Sequence, residues 1–247
     1  MRNVKEKLQE INQNSSSLSI LREINRSITE RNFHEHTHIL YDLRTFLGES
    51  KKNYVEIGSY VGASASLILK HYFKTNVTCI DPCVLRKSHY NGTDSQYNTI
   101  NKNLQKNNPH NMEFKIFKNF SHDILAVESI DNIDILHIDG DHSYNAVIKD
   151  YTLYKDKVNI GGFIVFDDYH DYRSSPAVKP SVDKIISEID SKEYEVIGSL
   201  NKFHNIKSQN SSVYSNFNET KATNMGFLPF FERCLASFAE VVVLPAP

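Results

Sequence analysis

Two short stretches carry more acid and imidazole than the end of a strand requires. "DILHIDGDHSY", Asp134 to Tyr144, places Asp139, Asp141 and His142 where an apolar run stops. "GGFIVFDDYHDY", Gly161 to Tyr172, ends its own run on Asp167 and Asp168, with Tyr169 and His170 following. Carboxylates crowded together away from water repel and raise one another's pKa unless a cation sits among them, and an all-oxygen donor set suits a hard divalent ion such as Mg2+. Asp139, Asp167 and Asp168 are therefore candidate metal ligands. His142, in the turn past Asp139, has an imidazole that titrates near neutrality. It could take the proton of a hydroxyl acidified by such an ion, which makes His142 and Asp139 the candidate catalytic residues. Tyr169 and His170 are close enough in sequence to Asp168 to line the same pocket, and either could replace His142 as base. For Asp141 the expectation is the ordinary task of capping a helix that starts near Ser143.

A third stretch, "VEIGSYVGASAS" (Val55 to Ser66), has Glu56, Gly58 and Gly62 between an apolar run and a helical segment. Glycine belongs there if the backbone takes positive φ or approaches a ligand, and the following helix start offers free N–H groups. Asp81 ends the next apolar run, where a carboxylate can accept both hydroxyls of a ribose. An adenosine-containing cofactor is implied. A dinucleotide turn would read G-x-G-x-x-G, but Tyr60 and Val61 occupy the middle of this one, and a bulky Tyr60 crowds a pyrophosphate.

These features must be positioned by strands alternating with helices. Apolar runs at residues 54–58, 76–81, 113–118, 133–139 and 162–168 predict strands. Segments 63–73, 96–106, 122–129, 143–158 and 181–189 predict helices, and a stripe of Tyr144, Val147, Ile148 and Tyr151 marks one of them. That alternation predicts an α/β fold with a doubly wound, mostly parallel sheet, whose ligands sit beyond the carboxyl ends of the strands. Residues 194–200 and 211–217 read as further strands. Two amphipathic helices precede the first strand, so residues 1–50 form an N-terminal helical cap, 51–220 the cofactor-binding domain, and 221–247 a tail without an assigned role.

The E-x-G-x-x-x-G turn resembles the first motif of the class I S-adenosylmethionine (SAM) methyltransferases. "CIDP" (79–82) is similar to their ribose-binding motif, and "NFSHDIL" (119–125) to the segment that holds adenine in catechol-type O-methyltransferases. The span from Ile133 to Asp171, with its I-D-G-x-H and D-D pair, resembles the macrocin- and mycinamicin-type sugar O-methyltransferases. The resemblance implies a Rossmann-like seven-stranded sheet and SAM as cofactor, bound by Glu56, Gly58, Ser59, Tyr60, Gly62, Ser64, Asp81, Ser121 and His122. It also implies a divalent metal at Asp139, Asp167 and Asp168, His142 as base, and methyl transfer to a sugar, glycoside or other vicinal-oxygen acceptor.

Composition bounds the alternatives. With 28 Lys plus Arg against 30 Asp plus Glu, a net charge of −2 gives no electrostatic reason to expect nucleic acid or an anionic membrane as partner. No window approaches the length of a bilayer span and the N-terminus lacks an apolar signal core, while the 3 cysteines form no CxxC pair. A soluble, cytoplasmic chain is expected, acting on a small molecule, with homo-oligomerisation open. "HEHTH" (His34 to His38) formally satisfies the H-E-x-x-H zinc-peptidase pattern. Tyr41 and Arg44 stand where its extended form needs Gly and His, so the expectation is a solvated histidine-rich helix start, with a pocket-lining role open. The remaining rival is a non-catalytic SAM or nucleotide scaffold, which has no use for the carboxylate trio and His142.

Overall fold

The computed structural model describes residues 4–28, 35–85, 94–190, 194–199 and 241–245. Five parallel strands build the body of the sheet: β1 (Lys52–Ile57), β2 (Thr75–Ile80), β3 (Phe114–Phe117), β4 (Ile133–Ile138) and β5 (Val158–Phe166). They lie in the order β3-β2-β1-β4-β5, so the chain reverses direction across the sheet between β1 and β4. Beyond β5 the order continues with β7 (Val241–Pro245) and then β6 (Tyr194–Ser199), both in antiparallel pairings. The expected strand at 211–217 lies outside the described residues. The tail, given no role from sequence, contributes 241–245 to this edge.

Side chains alternate across the sheet with period two. Tyr54, Cys79, Ile135, Phe163 and Val165 face a core shared with the N-terminal helices α1 (Val4–Asn14) and α3 (Ile39–Phe46) and with α4 (Ala63–Leu69) and α5 (Gln96–Lys106). Val55, Ile57, Leu136, Ile138, Ile164 and Phe166 face the other core, under α6 (Ile124–Glu128), α7 (Tyr144–Tyr154) and α8 (Val178–Glu188). Helix α2 (Ser17–Ser27) packs Leu21 and Ile24 on Val61 and Leu67 beside the glycine turn. The N-terminal helices are thus part of the sheet's own packing. Buried Arg44 fastens α3 to the sheet by donating to Thr75 Oγ1 at 2.7 Å and to the carbonyls of Gly48, Ser50 and Lys74.

Asp134, the first acid of "DILHIDGDHSY", is at the far end of β4. It accepts from the Asn53 backbone N–H at 2.8 Å and pairs with Lys52, so it pins strand starts and takes no part in the carboxyl-end cluster. At that carboxyl end, β1 and β4 run so close that a Cβ on Gly58 would lie 2.0 Å from the Asp139 carbonyl oxygen, and Gly58 has φ +85°. Gly48 also has positive φ, but open space surrounds its missing Cβ. Gly48→Ala should therefore cost about 1–2 kcal/mol for the left-handed backbone alone. Gly58→Ala should lose about 3 kcal/mol or more, because the backbone of β4 must also move. Urea unfolding of the two variants checks this, and equal losses would refute the close approach.

Candidate functional site

The β1–α4 turn is built around one carboxylate. Asp81, just past β2, accepts the backbone N–H groups of Ser59 and Tyr60 on Oδ2, each at 3.0 Å, and that of Cys83 on Oδ1 at 2.7 Å. Gln96 Nε2, from the start of α5, reaches both oxygens at 3.2 and 3.3 Å. The acid expected to hold ribose thus also shapes the turn, with Tyr60 at φ 50°. Glu56, on β1 beneath the turn, is buried, which pushes its carboxyl up to about 7, and it accepts from the Tyr54 hydroxyl at 3.2 Å.

A cavity of about 850 Å³ runs from this turn to the acidic strand ends. Its wall includes Glu56, Gly58, Ser59, Tyr60, Ser64, Asp81, Ser121, His122, Asp139, His142, Asp167 and Asp168. Of the residues assigned to cofactor, metal or catalysis, only Gly62 is off that wall. It starts α4 at φ +82°, and its missing Cβ lies against Ile100 and Leu104 of α5, so its task is close packing. At the turn end the lining is apolar, with Val84, Leu85 and Phe120, and Phe120 stacks on His122 at 5.5 Å between centroids.

The strand-end carboxylates converge in two overlapping groups. Asp139 and Asp167 come together with His137; Asp139 and Asp168 come together with His142. His142 Nε2 lies 3.4 Å from Asp139 Oδ1, and its Nδ1 is 2.7 Å from the Ser175 hydroxyl, which donates to Asp168 Oδ2 at 2.8 Å. Asp168 reaches this position through a left-handed backbone, φ 57°. Burial pushes Asp139 up to about 7, with the neighbouring charge of Asp167 adding to the effect. Burial alone would lower His142, yet Asp139 and Asp168 outweigh it and raise the imidazole to about 9. Burial would raise Asp167, but the imidazoles of His36 and His137 hold it well below the usual carboxylate range.

His36 overturns the reading of "HEHTH" as a solvated helix start. Only 4% exposed, it meets Asp167 Oδ1 with Nε2 at 2.6 Å. His38 is equally buried and pairs with Asn12 at 2.8 Å. His34 lies outside the described residues. Residues Glu35–His38 form a 3-10 turn whose His36 and His38 serve different partners. Tyr169 and His170 are not on the cavity wall. The Tyr169 hydroxyl donates to Asp183 on α8 at 2.6 Å, and His170 turns toward Tyr172. Asp141 accepts the Ser143 N–H at 2.9 Å, ordering the turn into α7 as expected.

Sequence reasoning missed Ser175, which is buried and joins His142 to Asp168, and nothing in its neighbourhood marks it. It also missed Asp150, which had a signal. Asp150 falls on the same helical stripe as Val147, Tyr151 and Tyr154, where an acid needs a partner. That partner is the Ser121 hydroxyl, donating at 2.5 Å at the cavity wall.

Comparison with known proteins agrees with this geometry. Residues 55–169 match the family described as "Methyltransferase domain". An uncharacterized protein of Acanthamoeba polyphaga mimivirus is 40% identical over 184 residues, spanning 71% of this chain and 80% of that protein. The chain belongs to one family with that mimivirus protein, and its residues 55–169 form a methyltransferase domain. Among solved structures, the O-methyltransferase from Bacillus cereus in complex with SAH shares the fold at 12% identity. Its TM-score is 0.54, over 94% of this methyltransferase and 91% of the other chain. An rRNA methylase from Streptococcus thermophilus does so at 10% identity and TM-score 0.53, over 85% and 96%. The methyltransferase domain supports SAM as the methyl donor, and the fold alone leaves the acceptor open.

Asp150 yields a prediction about this methyltransferase. At 3% exposed its carboxyl is raised by burial to about 6, so the folded state binds the proton more tightly than the unfolded state. Stability should then fall as pH rises from about 4 through 6, by up to about 3 kcal/mol at one 1.4 kcal/mol step per pKa unit. Asp150→Asn should flatten that decline and be the more stable protein at pH 7, as read by urea unfolding across pH. Parallel profiles for the two proteins would exclude a buried, proton-binding Asp150.

Proposed function

We propose that the protein is a SAM-dependent O-methyltransferase that moves a methyl group to a hydroxyl of a sugar, glycoside or other small molecule bearing adjacent oxygens. In this reading residues 1–50 form a helical cap on a seven-stranded class I sheet, and the protein acts in the cytoplasm. The observation that carries the reading is the single cavity joining the glycine turn, Asp81 and Ser121 to Asp139, Asp168 and His142. A binding scaffold would need the first group alone.

The residues divide the work. Ser59, Tyr60 and Asp81 hold the nucleoside end, with Val84, Leu85 and Phe120 as the apolar wall for adenine. At the other end Asp139 groups with Asp167 on one side and with Asp168 on the other, a set of carboxylates that could hold a divalent cation, and burial followed by the charge of Asp167 drives Asp139 upward. Such an ion would supply Lewis acidity toward an acceptor hydroxyl and favour two adjacent oxygens. Ser175 donates its proton to Asp168 and so accepts from His142 Nδ1–H. Nε2, which the neighbouring carboxylates hold protonated near neutral pH, would serve as the base with their charge neutralised by the cation. In the transfer the acceptor oxygen forms a bond to the methyl carbon and the S–CH3 bond breaks. Its electron pair stays on sulfur, which leaves as the neutral thioether, and the hydroxyl proton passes to His142 Nε2.

Release of S-adenosylhomocysteine from a panel of sugars, glycosides and phenols with Mg2+, repeated with EDTA, tests the reading. Turnover should need the ion. His142→Ala should lose about 100-fold or more in kcat while SAM affinity stays within about threefold. Asp168→Ala should abolish turnover and spare SAM binding, whereas Asp81→Ala should weaken SAM binding first. Tight SAM binding without turnover on any acceptor would favour the scaffold, and a rate indifferent to EDTA would remove the metal.

A further inference from the structure

The proposed cation site contains a nitrogen that none of the carboxylate chemistry uses. His137 sits on β4 two residues before Asp139, on the same side of the sheet, and is fully buried. Its Nε2 has no hydrogen-bond partner. The nearest carboxylate oxygen, Asp167 Oδ2, is 3.6 Å away, beyond hydrogen-bond reach. Orphaned imidazole nitrogens at zero exposure are costly, and this one lies with oxygens of Asp139 and Asp167 in a group whose atoms all fall within 4.8 Å of one another.

The other ring nitrogen says how His137 is held. Its Nδ1 is 3.1 Å from the Tyr54 hydroxyl, and that hydroxyl gives its own proton to Glu56 Oε2 at 3.2 Å. Tyr54 therefore accepts from Nδ1–H, which leaves Nε2 directed at the two carboxylates, whose charge favours a proton or a metal ion at that nitrogen. A ring whose remote N–H is fixed by an oxygen acceptor is the usual support of a metal-ligating histidine. The carboxylate across the gap is braced as well: His36 holds Asp167 Oδ1 at 2.6 Å and so turns Oδ2 toward His137.

We infer that His137 Nε2, Asp139 and Asp167 form a mixed nitrogen–oxygen site for a borderline divalent metal of the Mn2+ to Zn2+ series, with Tyr54 and His36 as positioning residues. Mg2+ strongly prefers oxygen and keeps its waters, so it gains little from an imidazole, whereas the first-row metals take imidazole nitrogen readily. The inference rests on the metal-assisted reading of the same cavity and replaces its hard ion with a softer one.

The test uses the full chain stripped of metal, titrated with Mg2+, Mn2+ and Co2+ by calorimetry, together with pulsed EPR of the Mn2+ protein. Imidazole nitrogen coupling is expected in the wild type and in His142→Gln, which removes the other imidazole grouped with Asp139 among the described residues. His137→Gln should lose that coupling and about tenfold or more in Co2+ affinity, with Mg2+ changed by less than about threefold. Should His137→Gln fail to fold, the wild-type and His142→Gln spectra still decide. Coupling that disappears with His142, or no coupling in the wild type, overturns the site. So does equal loss of Co2+ and Mg2+ in a folded His137→Gln that still binds SAM. Dependence of methyl transfer on EDTA is measured separately, so a metal-dependent enzyme with an oxygen-only site and a metal-free enzyme give different results.

Discussion

Everything at the carboxyl end of this sheet answers to one constraint: negative charges cannot share a poorly hydrated space without compensation. Asp139, Asp167 and Asp168 come from two adjacent strands, and the charges of the other two add to the rise that burial gives Asp139. Three imidazoles surround them, and the shifts run as mutual neutralisation requires: His137 and His142 go up to about 9 against the burial that would lower them, while Asp167 goes down. Positive charge is therefore already drawn to this point by the chain's own groups. A divalent cation would compete with those protons for the same oxygens, which ties ion binding and the protonation of His142 into one equilibrium.

The geometry that creates the crowding follows from strand parity and one strained turn. Tyr54, Glu56, His137, Asp139 and Asp167 share the parity of the face covered by the N-terminal helices, so they point toward the segment carrying His36. Asp168 has the opposite parity and returns to the cluster through its positive φ, a conformation stabilised by the contact of its carboxylate with Ser175. Gly58 completes the arrangement, because only the absence of a Cβ lets the end of β1 rest on the Asp139 carbonyl. The cofactor turn and the acidic end of β4 are in contact through that one residue.

Much of this was legible in the sequence because the signals are local. The glycine turn, the acid closing the next strand and the D-D and I-D-G-x-H pairs each lie within a few residues, and the strand and helix spans were recovered to within a turn at most ends, β5 starting earlier than its apolar run suggested. What escaped depends on long-range closure. His36 and Asp167 are 131 positions apart, so a histidine-rich polar segment gave no hint that it would be buried against an acid. Ser175 is an ordinary loop serine until Asp171 folds the loop by accepting the N–H groups of Arg173 and Ser174. The pairing of 241–245 between β5 and β6 was equally hidden, since its antiparallel register is a property of partners distant in sequence.

The same closure explains why the N-terminal helices matter to chemistry. Leu8, Ile39, Leu40 and Leu43 share a core with Tyr54, Ile135 and Phe163, so the sheet and the helices are held as one packed body. His36 and Thr37 follow directly from the turn that leads into α3, and Thr37 stands on the cavity wall beside Glu56 and Asp167. A segment that looked like decoration thus supplies a buried imidazole to one side of the acid cluster and a hydroxyl to the cavity. In a doubly wound sheet, whose ligand-binding end is otherwise built from strand ends and the loops after them, this contribution comes from a segment before β1. The N-terminal segment reaches both parts of the cavity, since Thr37 lines it, His36 braces Asp167, and α2 packs Leu21 and Ile24 against Val61 beside the glycine turn.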